Sequence, residues 1–176
     1  MLPGHTIQRI RYFTSLVWGA PDDPRKPQRQ LTTIRALQTT PNLSVHYRHF
    51  VTHPVRMRLA RPPAKGARDV EVIRNEEKGS DVNLATVLLA DGFDGEYELA
   101  VILSNDSDLA EPVRVMRARG YRIGVLCPQR EVRRMRPELM KAATFHRPVR
   151  ESVLPTCQFA PVLTDGKGQT DRPAGW

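Results

Sequence analysis

Apolar and polar residues follow two different periods along the chain, and the switches between them predict its elements. From Ile7 to Val17, the β-branched and aromatic residues Ile7, Ile10, Tyr12 and Phe13 stand among arginines, which reads as a strand. A helix signal follows: Asp23 offers a cap, Pro24 a first helical position, and Leu31, Ile34 and Leu37 one apolar stripe on a basic surface. Leu43, Val45 and Tyr47 then alternate with Ser44, His46 and Arg48, the period of two expected of a strand buried on one side near a sheet edge. Between Pro54 and Arg74 prolines and arginines break the pattern, predicting a long loop or an irregular hairpin.

The next stretch is more apolar. Ser80 is placed to cap a helix running from Asp81 to Ala90, in which Val82, Leu84, Val87, Leu88 and Leu89 leave almost no polar face, so packing on several sides is expected. Leu99 to Leu103 is an unbroken apolar run, the pattern of a central parallel strand covered on both faces. After Asn105-Asp106-Ser107-Asp108, a helix carrying Leu109, Val113 and Met116 on one face is expected to stop at Gly120. Ile123 to Leu126 reads as another buried strand, Glu131 to Ala143 as a basic helix and Phe145 to Val149 as a last strand. Residues 150–176, with their prolines and glycines, read as a disordered C-terminal tail. Alternating strands and helices predict an α/β domain over residues 1–149, a three-layer α/β/α sandwich with a mainly parallel sheet.

Composition narrows the partners. A chain of 176 residues has room for one core, and a net charge of +8 favours a polyanion, because neutralising phosphates releases condensed counterions. Aromatic residues make up only 6%, too few for a base-stacking platform, so phosphate contacts are the expected mode. Arg114, Arg117, Arg119, Arg133, Arg134 and Arg136, with Arg61 and Lys65, are the candidate track; the competing reading is a set of solvated helix faces. Two cysteines exclude a disulfide framework and a cysteine zinc site. No apolar run approaches the length needed to cross a bilayer and the start lacks signal-peptide character, so a cytoplasmic protein without a membrane partner is expected.

Candidate chemistry gathers where the apolar run ends. Asp106 and Asp108 flank Ser107 at a strand-to-helix turn, the region beyond strand carboxyl ends where open α/β sheets bind ligands. Two carboxylates there suit a hard divalent cation; Asp108 with Glu111 also makes an acidic capping box, which would explain one of them. Asp81 opens the buried helix, where stabilising the helix dipole is its simplest role, and Glu77 and Lys78 stand just before it. His46 and His49 point to opposite strand faces and, with His53, read as surface residues.

Glu77-Lys78-Gly79-Ser80-Asp81-Val82-Asn83-Leu84-Ala85, then Ala100-Val101-Ile102-Leu103-Ser104-Asn105-Asp106-Ser107-Asp108-Leu109, then Gly120-Tyr121-Arg122-Ile123, together resemble the NYN domain family of PIN-like nucleases, over roughly His5 to Val149. The resemblance implies a metal-dependent ribonuclease using Mg2+ or Mn2+, with Asp81, Asp106 and Asp108 as catalytic, metal-binding carboxylates and Glu77 as a further metal candidate. Lys78, Ser104, Asn105 and Ser107, with Arg114 of the basic track, are the candidate contacts to RNA or, alternatively, DNA. Family members usually open with an apolar strand ending in aspartate and a helix, whereas this chain starts at what resembles their second strand. A start further upstream is therefore one expectation, and a homodimer or partner chain covering an incomplete sheet is another. A catalytically inactive nucleic-acid-binding or assembly module is the alternative function.

Overall fold

The computed structural model describes residues 4–19, 22–128 and 135–172, which fall into two compact units, Asp81–Ala160 and the remainder. The first unit begins with strand β1 (Ile10–Ser15), helix α1 (Lys26–Gln38) and strand β2 (Leu43–Arg58), and β1 lies parallel to β2 from the Ile10–Leu43 pair to the Ser15–Arg48 pair. Helix α1 starts later than the sequence predicts. The Asp23 carboxylate is taken by the Arg29 guanidinium at 2.9 Å, Arg25 occupies the cap position without a side-chain bond, and a proline sits in the first turn instead. Of the predicted apolar stripe only Ile34 is buried, while Leu31 is exposed.

The segment from Pro54 to Arg74, read as a long loop or an irregular hairpin, is a hairpin: β2 runs on to Arg58 and pairs with β3 (Asp69–Lys78), antiparallel, from His49–Lys78 to Arg58–Asp69. In the order β1-β2-β3, β2 pairs with β1 over Leu43–Arg48 and with β3 over His49–Arg58, so each stretch of it has one paired neighbour. Proline was misleading here for a physical reason. Beyond Arg48 strand β2 has β3 as its one partner, so the missing N–H of Pro54 disrupts no second ladder.

In the second unit, helix α2 (Ser80–Phe93), strand β4 (Leu99–Leu103), a 3-10 turn (Ser107–Leu109), helix α3 (Ala110–Ala118), strand β5 (Arg122–Cys127), helix α4 (Pro137–Ala142) and strand β6 (Phe145–Pro148) follow in order. Its three strands run parallel in the order β4-β5-β6. The middle strand is therefore β5, and β4, predicted as the centre, has a free edge within this sheet. Ile123, Val125 and Cys127 of β5 are fully buried, whereas Val101 and Leu103 of β4 are 41% and 63% exposed. An apolar run marks a strand, not where it stands in the order.

Leu109, Val113, Met116, Ile123 and Leu139 form the centre of this core, and removing their apolar surface from water is its main stabilising term. Gly124 packs against the Phe145 ring, a contact no larger residue could make without displacing it. Helix α3 ends as predicted: Gly120 has φ +89°, and the Tyr121 amide donates to the Met116 carbonyl at 3.2 Å. Helix α2 is less enclosed than its composition predicts, since Leu88 and Gly92 are buried but Val82 is 68% exposed. The predicted helix from Glu131 lies in part outside the described residues; α4 starts at Pro137.

The segment read as a disordered tail carries a 3-10 turn (Glu151–Cys157) and a hairpin of β7 (Val162–Asp165) and β8 (Gly168–Asp171), the hairpin belonging to the first unit. Arg35 of α1 holds it by two bonds of 2.7 Å to the Asp165 carboxylate and one of 3.0 Å to the Gly168 carbonyl. A tether between residues 130 positions apart is invisible to any local reading of glycine and proline. Among the described residues no helix is long and apolar enough to cross a membrane.

Candidate active site

The chain leaves β4 at Leu103 and immediately makes a tight polar loop. The Ser104 amide still donates to the Leu126 carbonyl of β5 at 3.1 Å, so the loop starts in register with the sheet. The Asp106 amide then donates to Ser104 Oγ at 3.1 Å, and the Asp108 amide donates to Asp106 Oδ1 at 2.9 Å. Asp106, with extended backbone, is thus the cap of the turn that leads into α3, a role the sequence placed on Asp108. Asn105 is fixed from the other side, its Oδ1 accepting from the Arg136 amide at 2.9 Å.

Leu103, Ser104, Asn105, Asp106, Ser107, Pro128 and Arg136 line an open pocket of about 560 Å3. It lies beyond the carboxyl ends of β4 and β5, as expected for a ligand site on parallel strands. Capping occupies Asp106 Oδ1, and Oδ2 has no protein partner among the described residues. One carboxylate oxygen, the hydroxyl and amide oxygens of Ser104, Asn105 and Ser107, and one arginine therefore share the pocket.

The other predicted site residues are placed differently. Asp108 is exposed in the 3-10 turn and does not line the pocket, and Asp81 lies in the first turn of α2. Among the described residues no three histidine, cysteine, aspartate or glutamate side chains gather as a metal-binding group. The sequence expectation of a three-carboxylate cluster is thus not met in this arrangement. Mg2+ usually takes one or two carboxylates plus waters and substrate phosphates. The all-oxygen donors around Asp106 fit an ion held in that open manner and do not fit a closed carboxylate cage.

Glu77 stands in the first unit on β3, where it accepts from Ser15 Oγ at 3.0 Å and from Ser80 Oγ. Around it is a polar cluster that the sequence did not signal: Gln30 Nε2 donates to the Ser15 carbonyl at 2.7 Å and to Thr14 Oγ1 at 3.3 Å. Buried Thr14 and Ser15 at the end of an otherwise apolar strand are the one trace of it in the sequence. Lys78 is engaged by Glu76 at 2.6 Å; that hydrogen bond and the nearby Arg74 and Lys78 charges hold the Glu76 carboxyl below its usual range.

Arg114 is paired with Glu111 one helical turn away. Arg117 clasps α4 through the Ala142 carbonyl at 3.0 Å, and Arg119 lies 5.0 Å from the centre of the Phe93 ring. The basic helix face is therefore largely committed to structure, and among the described residues Arg136 is the arginine that lines the pocket. Arg133 and Arg134 lie outside the described residues.

The profile of the NYN domain matches residues 4–148. The chain is also similar to 6-hydroxy-3-succinoylpyridine 3-monooxygenase HspA of Pseudomonas putida, with 30% identity over 179 aligned positions that cover 95% of this chain and 57% of that protein. It thus spans little more than half the length of this relative. No solved structure matches it.

Proposed function

Because the chain belongs to the NYN domain family, whose fold is nuclease-like and whose nucleases generally depend on a divalent metal, we propose that it is a metal-dependent ribonuclease acting on RNA phosphodiesters at the Asp106 pocket. The observation that carries this reading is the Asp106 carboxylate oxygen that has no partner among the described residues, at the carboxyl ends of parallel strands, with Arg136 on the same pocket wall. Asp106 is the principal ligand for Mg2+ or Mn2+. When bound, such an ion lowers the pKa of water and offsets charge on the phosphate.

The chain's own groups do the rest. Ser104, Asn105 and Ser107 orient the phosphate by hydrogen bonds, and the Arg136 guanidinium faces the negative charge that grows on its oxygens during in-line attack. Asp81, Asp108 and Glu77 complete the proposed acidic set for that ion. Lys78 and Arg114 are substrate contacts only after phosphate displaces Glu76 and Glu111 from them. The proposed setting is the cytoplasm, with RNA preferred over DNA. A second copy or partner chain along the free edge of β4, where Val101 and Leu103 are exposed, belongs to the same proposal.

The lack of a three-acid group among the described residues favours a second reading, an NYN domain that binds nucleic acid without turnover. Incubating end-labelled RNA with the protein in Mg2+, in Mn2+ and in a chelator separates the two. Metal-dependent products support the nuclease; retained binding with no products in any condition supports the binding module. The monooxygenase name of the Pseudomonas putida relative defines a third outcome, oxygen consumption on adding 6-hydroxy-3-succinoylpyridine together with a reduced nicotinamide as two-electron donor, which would move this chain to oxidative chemistry.

A further inference from the structure

The hairpin of β2 and β3 is more than a connection between strands. From His49–Lys78 to Arg58–Asp69 it forms ten consecutive antiparallel pairs, about 30 Å of ribbon at about 3.4 Å per residue. Because β1 pairs with β2 no further than Arg48, this ribbon is two-stranded along that whole length. Its end is closed by the Leu59 amide donating to the Arg68 carbonyl at 2.9 Å, and residues 60–67 between them are exposed throughout.

Charge is distributed unevenly along the ribbon. On the shaft, Arg56 faces Glu71, Arg58 faces Asp69, and Glu76 engages both Arg74 and Lys78, so cations there have acidic neighbours. In the terminal loop Arg61, Lys65 and Arg68 have no acid among them, and no hydrogen bond or ion pair engages their side chains among the described residues. Pro62 and Pro63 restrict the loop backbone, and Gly66 at φ +121° allows its return. A restricted loop loses less conformational freedom when it is bound.

We infer that the tip of the β2–β3 ribbon is a separate anchoring site for the phosphate backbone of single-stranded RNA, formed by Arg61, Lys65 and Arg68. The proposed function shares the ligand, but this site needs neither a metal nor Asp106. A shaft with matched charges and a tip with cations alone directs a polyanion to the tip. The aromatic-free loop sequence Ala60-Arg61-Pro62-Pro63-Ala64-Lys65-Gly66-Ala67 indicates contact with phosphates and not with bases.

The test is equilibrium binding of a fluorescent single-stranded RNA in excess chelator, comparing wild type with the triple variant Arg61→Gln, Lys65→Gln, Arg68→Gln across about 50 to 200 mM salt. Three phosphate contacts on a single strand contribute about 2 to the slope of log affinity against log salt, so the variant should lose that much slope and bind about a hundredfold more weakly near 0.1 M. An unchanged slope and affinity would overturn the site. So would unaltered RNA binding together with lost binding to phosphatidylserine vesicles, which would make the tip a membrane contact. Because cleavage is not read, a protein that never cuts RNA yet shows the lost slope upholds this site and refutes the nuclease.

Discussion

Asp106 has a structural task as well as a proposed chemical one, and two substitutions separate them. Its Oδ1 accepts from the Asp108 amide at 2.9 Å and so starts the turn that leads into α3, whose Val113 and Met116 are fully buried. Alanine removes that acceptor, and losing an aspartate cap costs about 0.5–2 kcal/mol, typically about 1. Asparagine presents an amide oxygen at the same place and is an equally favoured cap, so it forfeits only the charge–dipole term, at most about 0.3–1 kcal/mol at low salt and less when screened. Urea unfolding in moderate salt should therefore rank wild type and Asp106→Asn together, with Asp106→Ala about 1 kcal/mol below at an unchanged m-value. In thermal melts a loss of about 1 kcal/mol in a chain of this size is about 2–4 °C. Equal stability of the alanine variant and wild type would refute the capping role. Equal destabilisation by both variants would show that charge, not the hydrogen bond, holds the turn.

Other outcomes follow from packing and titration. Arg35, by its hydrogen bonds, and then the Lys167 amide pull the Asp165 carboxyl from an ordinary 3.8 down to about 2, so the tether is at full strength above pH 3.8 and is lost as pH falls toward 2. Hydrogen exchange in β7–β8 should accelerate over that window, and Asp165→Asn should remove the pH dependence. Tyr97 is pushed up to about 12, chiefly by burial and then by Tyr121 and Asp91, while its hydroxyl donates to the Leu88 carbonyl at 2.9 Å. The neutral phenol stabilises the fold fully below pH 10, and that contribution fades as pH rises toward 12. A spectrophotometric titration should accordingly show one late phenol that Tyr97→Phe abolishes. Gly124→Ala should cost about 1–3 kcal/mol because the added methyl overlaps the Phe145 ring, and a neutral effect in denaturant unfolding would contradict that packing.

Local signals were readable where each element carries its own reasons. Leu109, Val113 and Met116 at helical spacing, closed by Gly120, mark α3, and the Ile123 to Leu126 run marks β5. Errors arose where a distant partner decides. Asp23 does not cap α1 because Arg29 takes it, Pro54 does not end β2 because the ribbon needs no second neighbour there, and Arg35 orders a hairpin whose own sequence reads as tail. The strand order is of the same kind, since the apolar run Leu99 to Leu103 does not tell that β5 lies between β4 and β6.

The candidate site divides along the same line. Ser104 to Asp108 stands out in sequence as a polar loop after an apolar strand, and the structure puts Ser104 to Ser107 on the wall of a pocket. The pairing of Arg114 with Glu111 was also legible, because the two lie three residues apart on one helix face. Arg136 could not be singled out from the other arginines, because its place beside Asn105 depends on the path of the chain beyond β5. Convergence of Asp81 with Asp106 and Asp108 is a property of tertiary geometry, and a shared motif order does not guarantee it.

The most direct test of the Asp106 pocket as an active centre compares wild type and Asp106→Asn on end-labelled RNA in Mn2+, after unfolding curves have established equal stability. The account predicts cleavage that requires both the metal and the aspartate, with the asparagine variant reduced to the chelator background. Equal product from the two proteins would contradict it and place any nuclease activity outside this pocket.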